Sequence, residues 1–114
     1  MDYYFYILEK NSDGRVGFGV TGFPNARLED YISHNGREMI FPFVYKGPAP
    51  HVRKLEKVIK RQYHDRLWHP FGRLKEWFLE KYSVEDVNTL VNEIIVHQHL
   101  PIELYYETFE FTVQ

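Results

Sequence analysis

The chain has 114 residues, no cysteine, 44% apolar and 18% aromatic side chains, and a formal net charge of −2. That length holds one core rather than two, the composition excludes disorder, and the missing cysteine excludes disulfides, thiolate zinc sites and a cysteine nucleophile. No apolar run approaches the roughly 20 residues needed to cross a bilayer, and no signal-peptide pattern opens the chain, so a soluble cytoplasmic protein without a membrane partner is expected.

Residues 3–9 (YYFYILE) are aromatic and branched enough for a buried strand, and Asn11-Ser12-Asp13-Gly14 reads as a turn. Arg15 to Thr21 returns as a second strand, with Val16, Phe18 and Val20 on one face and Arg15, Gly17, Gly19 and Thr21 on the other. Pro24 suits the first turn of a helix running to about His34. A third strand is expected over 39–46, where Pro42 calls for an edge or a bulge. Gly47-Pro48-Ala49-Pro50 reads as a loop, with Pro50 where a helix would begin. A helix over about 51–66 follows, with Val52, Leu55, Val58 and Ile59 at helical spacing. Residues 75–81 read as a short helix. Ser83 before Glu85 and Asp86 is an N-cap pattern for a helix over 84–97, and residues 102–113 read as a last strand. The fold class expected is α+β: a small three-stranded antiparallel sheet flanked by helices, plus a C-terminal helix and strand, in a single domain over 1–114.

The near-neutral net charge hides an asymmetry. Residues 51–75 carry eight cations against two carboxylates, and residues 76–114 carry one cation against eight carboxylates. The first segment is the natural surface for a polyanion, although a solvated basic helix has the same composition. The acidic segment suits a homodimer contact or a protein partner better than DNA.

The hairpin brings Tyr6 toward the Gly17/Gly19 face, where glycines allow a ligand close to the backbone. Arg27 and Tyr31 lie four apart on one helical face, with His34 a turn further. A guanidinium offers a planar fork of donors to a phosphate and stays charged, and the Tyr6 and Tyr31 hydroxyls can pass a proton or bond a phosphate oxygen. The same residues also fit an aromatic hairpin core beside a surface arginine. Glu56, the lone acid among Lys54, Lys57, Lys60 and Arg61, is a candidate Mg²⁺ ligand or an ordinary ion-pair partner of Lys60. Glu76, before Trp77 and Phe78, is a further candidate.

Together these residues resemble the GIY-YIG nuclease superfamily over about residues 3–80. Tyr4-Phe5-Tyr6 stands where that family has Gly-Ile-Tyr, Gly17-Phe18-Gly19 where it has Tyr-Ile-Gly, and Thr21 follows as the polar step. Arg27 matches the helical arginine, Tyr31 a nearby His or Tyr, and Glu56 the helix bearing the metal-binding glutamate. Glu76-Trp77-Phe78 looks like the E-W-F signature of a phage-associated branch, and Glu76 or Asn88 stands for the family's late asparagine. Tyr4 replaces the first glycine, and Gly17 replaces the second motif's tyrosine.

The resemblance implies a metal-dependent endonuclease that hydrolyses DNA with low sequence specificity. Tyr6 would activate water, a role for which a phenol ionising near pH 10 needs a cation nearby. Arg27 would stabilise phosphoryl charge, Glu56 would hold Mg²⁺ or Mn²⁺, and Gly19, Thr21, Lys54, Lys57, Lys60 and Arg61 would line the substrate path. Tyr31 completes the catalytic set, and His34 and Glu76 are additional site residues. The alternative is a catalytically impaired GIY-YIG-fold module that binds nucleic acid or a protein, and a third reading is an interaction protein with a DNA-mimicking acidic tail.

Overall fold

The structure is a computed structural model and describes residues 1–10, 14–35, 39–66 and 82–109. Strands β1 (Asp2–Lys10) and β2 (Arg15–Thr21) are followed by helix α1 (Pro24–Asn35) and strand β3 (Met39–Pro48). Helix α2 (Ala49–Gln62) and a short 3-10 turn (His64–Arg66) come next, then helix α3 (Val84–His97) and strand β4 (Glu103–Phe109). The α+β class expected from the sequence is what forms. The helix expected over 75–81 lies outside the described residues.

The sheet is antiparallel with strand order β2-β1-β3-β4. It therefore has four strands rather than three, because the C-terminal strand pairs with β3 instead of standing apart. The helix expected over 51–66 begins two residues earlier and gives way to the 3-10 turn after Gln62. Proline at its N-terminal turn explains the start, since that position needs no backbone N–H. Gly14 takes φ +70° at the end of the β1–β2 turn, a conformation open to a residue without Cβ.

On the β1–β3 ladder, Ile7 pairs with Phe43 and Glu9 with Ile40. Phe41 and Pro42 thus share the space opposite Leu8, and the bulge absorbs the proline's missing donor inside the sheet.

Phe5, Tyr6, Ile7 and Leu8 are consecutive and all wholly buried. A strand covered on both faces reads as a continuous apolar run, and here the two covers differ. Phe5 and Ile7 pack with Phe18 and Tyr45 under Val52, Leu55 and Ile59 of α2 and Val87 and Val91 of α3. Tyr6 and Leu8 pack with Leu28 of α1 and with Met39, Phe41 and Val44 of β3. The two-residue pleat thus assigns α1 to one face of the sheet and α2 with α3 to the other.

Candidate nucleic-acid site

Tyr6 pairs directly with Gly19 across the β1–β2 ladder, so the expected hairpin register forms. The Tyr6 ring is wholly buried and stacks on Phe41, 4.3 Å between centroids at 15°. Tyr31 meets that pair edge-on, 5.9 Å from the Tyr6 ring. At its polar end the Tyr6 hydroxyl lies 2.9 Å from the Tyr31 hydroxyl and accepts from Arg27 Nη1 at 3.4 Å. The guanidinium and two phenols therefore form one hydrogen-bonded chain where α1 meets the sheet.

That chain opens into a cleft of ≈ 290 Å³ lined by Arg27, Asp30, Tyr31 and His34. Asp30 was not singled out by sequence reasoning, yet its place three residues after Arg27 and four before His34 puts it on the same helical face. His34 Nδ1 lies 2.7 Å from the Asp30 carbonyl; a carbonyl only accepts, so Nδ1 is the donor of that bond. Thr21 is engaged locally: its Oγ1 accepts from the Phe23 N–H at 3.1 Å, closing the turn into α1.

Glu56 does not join this group. It sits on α2, across the sheet from Tyr6, and pairs with Lys60 at 3.6 Å. The helical period that buries Val52, Leu55 and Ile59 against Phe5 and Ile7 carries Glu56 with it, so one cleft shared by Tyr6, Arg27 and Glu56 is not what forms. Lys54, Lys57 and Arg61 line a separate groove on the same helix. Asn88 lies on this second face too, where it accepts a hydrogen bond from the Tyr45 hydroxyl, which in turn accepts from Asn92 Nδ2 at 3.0 Å. Burial pushes the Tyr45 phenol above its ordinary range. Glu76 lies outside the described residues.

A divalent metal needs several oxygen or nitrogen donors converging on one point. Beside Arg27 the cleft offers Asp30 and His34, and no group of three His, Cys, Asp or Glu side chains with metal-site geometry occurs among the described residues.

The T5orf172 domain model matches residues 3–95, from the start of β1 through most of α3. The chain belongs to the T5orf172 domain family. The match corrects the resemblance to GIY-YIG nucleases: T5orf172 is a different family, and no GIY-YIG model matches. The resemblance rested on the order and spacing of short motifs, and both hairpin triplets depart from the pattern at their first residue, Tyr4 and Gly17. The T5orf172 domain is a nuclease-like, DNA-binding family, and membership is compatible with nucleic-acid binding. The match also runs past residue 82, taking in the helix whose Val84, Val87, Val91 and Ile94 complete the core of the second face. No curated protein and no solved structure matches the chain. No helix among the described residues is long and apolar enough to cross a membrane.

Proposed function

We propose that the cleft beside Tyr6, Arg27 and Tyr31 receives a DNA phosphodiester, and that the chain is an endonuclease of low sequence specificity. The observation that carries this reading is the Arg27 guanidinium held against the Tyr6 hydroxyl, with the Tyr31 hydroxyl 2.9 Å beyond. A fixed guanidinium is suited to charge developing on phosphoryl oxygens. The two phenols offer a short path for a proton, since Arg27 donating into the Tyr6 oxygen leaves the Tyr6 proton available to Tyr31. Mg²⁺ or Mn²⁺ enters the proposal as the cofactor expected from the sequence, and no step is assigned to it.

The test is nicking of supercoiled plasmid at low salt with Mg²⁺, with Mn²⁺ and with chelator. Nicking by the native chain that disappears in Arg27→Ala is the expected result. No nicking with either metal overturns the endonuclease.

A non-catalytic binding module is the second reading, favoured by one observation. Tyr6, including its ring, is wholly buried like a core residue. Such a module would also have a protein-facing surface in β4, where Leu104, Tyr105 and Tyr106 are exposed between Glu103 and Glu107. Retained DNA binding without nicking would identify it.

A further inference from the structure

Helix α2 carries Arg53, Lys54, Lys57 and Arg61; Lys57 lies four residues after Arg53, three after Lys54 and four before Arg61, which gathers all four on one side of the helix. They line a groove of ≈ 440 Å³ with Pro50, Val58, Gln62 and Gln98, and no carboxylate lines it among the described residues. Glu56, the one acid of the helix, is held by Lys60 on the flank. All four cations are exposed, and the Arg53 guanidinium rests over the Tyr3 ring, 5.0 Å from its centroid. From Arg53 to Arg61 the helix rises about 12 Å at ~1.5 Å per residue, the axial span of about three or four phosphates of one strand. This stripe faces away from the sheet on the side opposite α1 and its Arg27 cleft.

We propose that the α2 stripe is a second, separate contact for a nucleic-acid backbone, which holds phosphates independently of the Arg27 cleft. The occupant is a nucleic acid rather than an acidic protein because the described lining is a row of four cations without a carboxylate, matched in length to a run of phosphates. The proposal rests on the reading of the domain as nucleic-acid-binding, but not on cleavage.

The experiment is duplex-DNA affinity of the full chain as a function of salt. In Lys54→Ala/Lys57→Ala/Arg61→Ala the slope of log K against log salt should fall by about 2.7, or about 0.9 per cation removed, and Lys57→Gln alone should lower it by about 0.9. Because the two surfaces lie on opposite faces, the fold-losses from the triple variant and from Arg27→Ala should multiply when combined. An unchanged slope in both stripe variants overturns the proposal, as does displacement of DNA by poly-glutamate at equal charge concentration. A lowered slope in the stripe variants, with Arg27→Ala altering neither binding nor nicking, supports the stripe and sinks the cleft reading instead.

Discussion

The hydroxyls of Tyr6 and Tyr31 lie 2.9 Å apart although 25 residues separate them in the chain. One comes from the central strand and the other from the first helix, and Arg27 ties into the pair through Tyr6. Tyr6→Phe keeps the stacked ring and removes only the hydrogen bonds. It should cost about 1 kcal/mol of stability by denaturant unfolding while lowering nicking much more than DNA affinity. Unchanged nicking would reduce the hydroxyl to a packing role.

Arg27→Lys separates charge from geometry. Lysine keeps the positive charge but loses the planar fork, so DNA affinity should stay near the native value while nicking falls about tenfold or more. Full activity in this variant would show that any cation suffices.

Gly47 packs closely against the segment that leads into β4. A Cβ there would lie 2.8 Å from the Pro101 carbonyl oxygen and 2.9 Å from Ile102 Cγ1. The first of these atoms is backbone and cannot swing aside, so Gly47→Ala should destabilise by about 1–3 kcal/mol. A melting temperature equal to that of the native chain would mean that the segment leading into β4 moves freely.

The two ends of α3 predict opposite signs. At the start, Ser83 Oγ accepts from the Asp86 N–H at 3.0 Å, and the Asp86 carboxylate reaches back to the Ser83 N–H at 3.4 Å. Ser83→Ala should cost about 1 kcal/mol. At the end, His99 takes φ +53° while the Leu100 N–H closes on the Ile95 carbonyl. Glycine adopts that left-handed conformation without a Cβ clash, so His99→Gly should stabilise by up to about 1 kcal/mol. Chemical denaturation of both variants checks the pair.

Partial burial first, and then the nearby Glu85, raise the Glu9 carboxyl above its ordinary range. The folded state then holds the Glu9 proton more tightly than the unfolded chain. Its contribution to stability is fully present below the unfolded value and is lost as pH rises through the raised folded value. Glu9→Gln should therefore raise the melting temperature slightly at pH 7 and lose that advantage in acid. A gain of equal size at pH 3 and pH 7 would contradict the electrostatic cause.

Amino-acid order alone determined the elements. Period-two alternation in β2, the continuous apolar run of β1, the prolines opening α1 and α2, and the Ser83 cap are local signals that need no distant partner. The pairing of Tyr6 with Gly19 follows from hairpin register for the same reason. The association of Arg27 with Tyr31 follows from helical spacing, and Asp30 was open to that argument as well.

What the tertiary structure decided is which face each element serves. Nothing local says that α1 covers Tyr6 while α2 covers Phe5, because that depends on how the chain crosses the sheet between β2 and β3 and again after β3. Once those crossings are made, the pleat sends neighbouring residues to opposite sides. Glu56 and the α2 cations then part company with Arg27, and one expected site becomes two surfaces. The join of β4 to β3 is likewise a long-range pairing that no short pattern encodes.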